Sequence, residues 1–125
     1  GYEDAVSAAP HDMKALYNVG KVAYKQKDYQ TAKKAFTQVS SSSYASTELK
    51  EQALFSNGDT LLMQKNVDEA TGAYEAVLGL NPNNAHAKER LELIKKLKEQ
   101  EKQQQDKKSG PQKDQEKDQK DTQDK

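Results

Sequence analysis

The sequence has no cysteine. That absence removes disulfides, thiolate chemistry and Cys-based zinc sites together. It leaves the compartment open, because a cysteine-free chain suits the cytosol and an oxidising space alike. There is no net charge either: 20 Lys and Arg stand against 20 Asp and Glu, so no global field draws the chain to nucleic acid or to an anionic membrane. No apolar run approaches the roughly 18 residues a membrane helix needs, and residues 1–10 lack the basic start and apolar centre of a signal peptide. A Gly-rich phosphate loop is missing, since the glycines stand singly within helical patterns. The two histidines, His11 and His86, have no partners spaced for metal or triad chemistry. Asp68-Glu69 and Glu89/Glu92 are carboxylate pairs on solvated helix faces. These absences predict a chain that is not an enzyme and that uses no metal and no cofactor. At 125 residues it is one domain at most.

What is present is helical periodicity, clearest from Glu51 to Pro82. Leu54, Asn57, Gly58 and Leu61 fall at i, i+3, i+4 and i+7, and Lys65-Asn66 breaks the pattern. Ala70, Ala73, Tyr74 and Val77 then repeat the spacing up to Pro82. Two helices around a short polar turn make a helical hairpin. Gly58 and Ala70 mark where the two backbones are expected to approach closely.

Residues 12–41 read the same way. Asp12 is placed to cap a first helix with Leu16, Val19, Gly20, Ala23 and Tyr24 on its apolar side; Lys27 ends it, and Asp28 caps a second helix carrying Ala32, Ala35, Phe36 and Val39. The intervals from Gly20 to Gly58, from Ala32 to Ala70 and from Phe36 to Tyr74 are identical. This common offset is the period of an internal repeat. The serine-rich stretch 40–46 accounts for its length, and Tyr44 within that stretch is expected to fold back on neighbouring helices. Asn66 with Glu69 has the pattern of a capping box.

Residues 2–10, YEDAVSAAP, repeat the spacing of 74–82, YEAVLGLNP. That predicts half a repeat at the start and a chain cut from something longer. After Pro82, Asn83 or Asn84 is placed to cap a last helix over 84–105, with Ala87, Leu91, Ile94 and Leu97 on one stripe. Residues 106–125, almost entirely Lys, Asp, Glu and Gln, predict a disordered tail. Acidic residues alternate with its lysines and no aromatic is present to stack on bases, so the tail reads as a solvated spacer rather than a nucleic-acid arm.

These marks resemble the tetratricopeptide repeat (TPR) family. Leu16, Val19, Gly20, Ala32, Phe36 and Val39 carry the pattern in one unit, and Leu54, Asn57, Gly58, Ala70, Tyr74, Val77 and Pro82 carry it in the next. The first unit lacks the closing proline, and Asn57 stands where a large apolar residue is usual. The resemblance implies an all-α solenoid of hairpins in a right-handed superhelix. A TPR domain is expected over 2–105: half repeat 2–10, repeat 12–41, repeat 47–82, then the capping helix. A narrower resemblance runs from Leu49 through the helix after Pro82 into a Gln/Lys tail. It is to the TPR proteins of bacterial aerotolerance (Bat) operons, and it implies a larger bacterial assembly at the cell envelope or periplasm. Without it, the cytoplasm is the expected place.

The family's register puts the first helix of each hairpin on a concave face, the usual binding surface. On it fall Lys14, Tyr17, Asn18, Lys21, Tyr24 and Lys25, then Phe55 and Asp59 with Gln52, Leu62 and Met63, and Arg90 with His86 and Glu89 from the end helix. Aromatic anchors among cations suit an extended, partly acidic peptide. The expected function is therefore non-catalytic: a scaffold holding a protein or peptide in this groove, with no nucleic acid and no membrane insertion. Self-association through an exposed edge of Tyr2, Ala5 and Val6, giving a homo-oligomer, is the alternative. The two-carboxylate clamp of chaperone-binding TPR domains does not carry over. Tyr17, Lys21, Ser56 and His86 occupy four of its positions with other residues, and only Arg90 agrees.

Overall fold

The computed structural model describes residues 12–109. The expected half repeat at 2–10, with Tyr2, Ala5 and Val6, and the tail from 110 onward lie outside the described residues. Five helices follow in order: α1 Met13–Lys25, α2 Tyr29–Ser41, α3 Thr47–Met63, α4 Val67–Leu80 and α5 Ala85–Ser109. The fold is all-α, with α1 packed on α2, α2 on α3 and α3 on α4.

The boundaries follow from local chemistry. Asp12 accepts a hydrogen bond from the Ala15 amide at 2.9 Å, and Ser46 accepts one from Leu49 at 3.1 Å. Each satisfies an amide that has no partner within its helix. Of the two asparagines after Pro82, Asn84 is the cap, accepting from the Ala87 amide at 3.0 Å.

Both hairpin turns are built alike. Lys27 (φ 64°) and Lys65 (φ 63°) take the left-handed conformation, at roughly 1 kcal/mol for a non-glycine residue. The amide after each reaches back to the third-last helical carbonyl: Asp28 to Ala23 at 2.8 Å, Asn66 to Leu61 at 2.8 Å. That bond closes α1 and α3 in a Schellman motif. The same Asp28 and Asn66 then cap α2 and α4, so one residue serves two helix ends. The capping box takes a variant form. Glu69 accepts from the Asn66 side-chain amide at 2.6 Å, because the Asn66 backbone amide is already committed to Leu61.

Ala32, Ala35, Phe36 and Val39 of α2 are all fully buried, as the spacing predicts. Each hairpin is closed by a ring over a glycine. A Cβ on Gly20 would lie 2.6 Å from Phe36 Cε1, and one on Gly58 would lie 2.6 Å from Tyr74 Cε1. The glycines therefore admit an aromatic ring from the facing helix, which corrects the expectation of backbone meeting backbone at Gly58.

The α3 stripe also differs. Its buried residues are Ala53, Gly58, Thr60 and Leu61, while Leu54 and Asn57 are half-buried. The spacing reports the α4 side alone, whereas α3 is packed on two sides. Ala53 joins Met13, Leu16, Ala35, Val39 and Ala45 in one cluster. Thr60 tolerates full burial because its hydroxyl donates to the Ser56 carbonyl at 2.9 Å. Asn57 Oδ1 is buried with no hydrogen-bond partner among the described residues. Tyr44 is 64% exposed rather than buried against neighbouring helices, and Ala45 fills the core.

The chain divides into two compact units, the first ending at Leu91 and the second beginning at Glu92. α5 continues to Ser109, past the expected end at 105. Lys, Gln and Glu are strong helix formers, and Glu92 with Lys96 has the favourable i,i+4 order; the sequence offers no breaker before Gly110-Pro111. Ala87 and Ile94 are buried, but Leu97 is 41% exposed. At about 3.6 residues per turn it lies well off the line of the other two.

Candidate functional site

The face made by α1 and α3 is tied together by Tyr17 and Ser56, whose hydroxyls lie 3.2 Å apart. Each first helix sends one aromatic onto the ring that fills its own hairpin. Tyr17 meets Phe36 with centroids 5.5 Å apart, and Phe55 meets Tyr74 at 5.5 Å. Tyr17 and Phe55 are related by the same offset as Gly20 and Gly58, so the pairs are equivalent. A cation covers each: Lys21 Nζ lies 5.7 Å from the Tyr17 centroid and the Arg90 guanidinium 5.1 Å from that of Phe55.

Asp59 is the hub of the second half. Arg90 Nε donates to its Oδ1 at 2.9 Å and Nη2 reaches Oδ2 at 3.5 Å. The Tyr74 hydroxyl also donates to Oδ1. Burial, and then the hydrogen bond to Asp59, push the Tyr74 phenol far above the ordinary tyrosine range. Tyr24 is raised as well, by burial first and the Asp59 charge second. The hydrogen bond to Asp59 raises Arg90.

A pH dependence follows. With the folded pKa of Tyr74 above the unfolded 10.0, the folded state keeps a proton that the unfolded chain releases. Its contribution is complete below pH 10 and is lost above it. The melting temperature should fall above about pH 10, and Tyr74→Phe should flatten that slope. Absorbance at 295 nm should show one of the six tyrosines un-ionised until unfolding. Complete ionisation in the folded protein would contradict the geometry.

Two cavities open on this face. One, of about 220 Å³, is lined by Lys21, Tyr24, Lys25, Phe36, Ser56 and Asp59. The other, of about 320 Å³, includes Tyr17, Phe55 and His86 and shares Lys21, Ser56 and Asp59 with the first. Of the expected groove residues, Tyr17, Lys21, Tyr24, Lys25, Phe55 and Asp59 therefore line one or both. Arg90 reaches them through Asp59 and Phe55. Lys14 is exposed one turn earlier and lines neither. Asn18 lines a separate cavity with Val19, Val22 and Gln26. A band drawn from sequence spacing covers about a third of the helix surface, and only part of it faces α3. Ser56 and Phe36 join the face through the α1–α3 contact, which no spacing reports. The role of Tyr74 was open to the repeat offset, which sets a hydroxyl-bearing ring where the first hairpin has Phe36.

Residues 14–43, spanning α1, its turn and α2, match the tetratricopeptide repeat family model. No curated protein matches the sequence. TPR units are typically non-catalytic modules that mediate protein–protein interaction. The α3–α4 hairpin, beyond the matched residues, repeats the geometry of the first: the glycine under a ring, the left-handed lysine and the shared cap. Among the described residues no group of three His, Cys, Asp or Glu side chains is placed to hold a metal. No helix among them is long and apolar enough to cross a membrane.

Proposed function

We propose that the chain is a non-catalytic scaffold that holds an extended segment of a protein partner on the α1–α3 face. The observation that carries this reading is the cavity pair flanking Lys21, where aromatic walls and exposed cations converge. Aromatic surface supplies affinity at low entropic cost and the lysines supply orientation. The contact set centres on Tyr17, Lys21, Tyr24, Lys25 and Phe55, with Lys14 at the approach. Asp59 and Arg90, neutralised by each other, form its floor. The narrower resemblance to Bat-operon TPR proteins supports a larger bacterial assembly at the envelope as the setting.

A pull-down comparing the parent with Lys21→Glu/Tyr24→Ala tests this. A partner captured by the parent and lost in the variant is the expected result; a partner kept by the variant moves the site off this face.

One observation favours self-association as a second reading. Val22 is 54% exposed, whereas Thr60, its equivalent in the next hairpin, is fully buried. A second copy covering that edge of α1 would give a mass that rises with concentration; a monomer throughout the range excludes it.

A further inference from the structure

We propose that the smaller cavity receives one aromatic side chain, a tyrosine, from the partner segment, with carboxylates adjacent to it in sequence seated at Lys21 and Lys25. This rests on the groove reading and specifies its partner. The volume, about 220 Å³, is below the roughly 300–1,000 Å³ of small-molecule sites and suits a single side chain. Its walls divide by chemistry. The Tyr24 ring offers apolar surface with the buried Phe36 behind it, and Ser56 and Asp59 offer polar atoms.

Asp59 retains capacity at one oxygen. Oδ1 accepts from both Tyr74 and Arg90, while Oδ2 has only the 3.5 Å approach of Arg90 Nη2. A carboxylate oxygen accepts two hydrogen bonds, so Oδ2 can take a donor from within the cavity. That favours a phenol over a purely hydrocarbon ring.

The charge of the rim selects the neighbours. Asp59 is neutralised by Arg90. Glu51, in the adjoining cavity, accepts from the side-chain amides of Asn81 at 3.0 Å and Asn84 at 2.6 Å. Lys21 and Lys25 are exposed, and no carboxylate among the described residues forms an ion pair with either. Two unmatched cations therefore flank an aromatic cavity, which attracts carboxylates and repels a basic segment.

Spacing sets the length. Lys21 and Lys25 are one turn apart on α1, about 6 Å, and the two acids of an acid–aromatic–acid run lie about 6.6 Å apart along an extended chain. An acid, an aromatic and an acid in succession fit that reach. This is not the two-carboxylate clamp, whose lysine and asparagine positions are filled here by Tyr17, Lys21, Ser56 and His86.

Fluorescence anisotropy of the full chain with labelled peptides tests the proposal. The probes carry Asp-Tyr-Asp, Asp-Phe-Asp, Asp-Ala-Asp or Lys-Tyr-Lys in a Gly-Ser frame. Asp-Tyr-Asp should bind best, with loss of the hydroxyl costing several-fold and loss of the ring about tenfold or more. Lys21→Glu/Lys25→Glu, both at exposed positions, should keep the circular dichroism spectrum and reverse the preference towards Lys-Tyr-Lys. Equal binding of Asp-Tyr-Asp and Asp-Ala-Asp, both lost in the double variant, would overturn the aromatic cavity and leave the groove reading intact. A pull-down partner sensitive to Lys21→Glu/Tyr24→Ala with no binding of any peptide would do the same. No peptide binding together with no groove-dependent partner would overturn both.

Discussion

Gly58→Leu is expected to unfold the α3–α4 hairpin. A Cβ at this position would lie 2.6 Å from Tyr74 Cε1, 2.7 Å from Cζ and 3.0 Å from Cδ1. The ring cannot swing aside: it is fully buried, its hydroxyl is held by Asp59, and Phe55 lies edge-on at 5.5 Å. Alanine alone already sets two effects against each other. Replacing a mid-helix glycine gains about 1 kcal/mol, and overpacking costs about 1–3 kcal/mol. Leucine adds three more carbons against the same ring, taking the cost above about 3 kcal/mol. For a domain of this size each kcal/mol lowers the melting temperature by about 4–8 °C. Thermal melts followed by circular dichroism should show the loss. A Tyr74→Ala background makes the cause testable. With the ring gone, Gly58→Ala should turn stabilising by up to about 1 kcal/mol. If Gly58→Leu melted like the parent, the pairing of Gly58 with Tyr74 would be refuted.

That contact shows how far the fold was legible. The common offset between Gly20 and Gly58 and between Phe36 and Tyr74 is visible in the letters; that the ring of one fills the gap left by the other is a fact about facing helices. Caps were legible because Asp12, Asp28 and Asn66 each act on an amide in the adjoining helical turn. The left-handed lysines were less so. Lys27 and Lys65 sit where glycine is the usual signal, and only the recurrence of a polar turn marked the place. Two-sided packing of α3 erased its periodicity, so Ala53 and Thr60 went unread. Tyr44 was misread because a large ring in a loop suggests burial, whereas the turn gives that place to Ala45.

The candidate face was legible in its cations and aromatics but not in their pairing. Lys21 and Asp59 hold equivalent positions in the two hairpins. Nothing in that equivalence says that one stays an exposed cation while the other is neutralised by Arg90. The difference depends on α5, which brings Arg90 against the second hairpin, whereas α3, which follows the first hairpin in the same way, has the neutral Gln52 at the equivalent position. It also sets the charge of the face, since it cancels the acid and leaves the lysines unmatched.

Removing that acid is the second large effect. Asp59→Ala should destabilise the chain by about 2–3 kcal/mol, mostly by stranding a donor. The Tyr74 hydroxyl is left beneath a fully buried ring, and an unsatisfied buried donor costs about 1–3 kcal/mol. Arg90 adds less, because its side chain is 36% exposed and rehydrates once released. Asp59→Asn keeps an acceptor for Tyr74 and loses only the charge, so about 1 kcal/mol is expected. Tyr74→Phe also costs about 1 kcal/mol, and the first hairpin, with Phe36 in the same place, shows that the ring packs without its hydroxyl. The cycle is decisive because Asp59→Ala in a Tyr74→Phe background no longer strands a donor. The double variant should be more stable than the sum of the two losses by about 1 kcal/mol or more. Urea unfolding of the four proteins measures it, and strict additivity would mean that Asp59 serves Arg90 alone. Peptide binding separates the two roles of Asp59. Tyr74→Phe leaves Oδ2 and the cavity untouched and should preserve Asp-Tyr-Asp affinity, whereas Asp59→Asn should narrow the gap between Asp-Tyr-Asp and Asp-Phe-Asp without disturbing the response to Lys21→Glu.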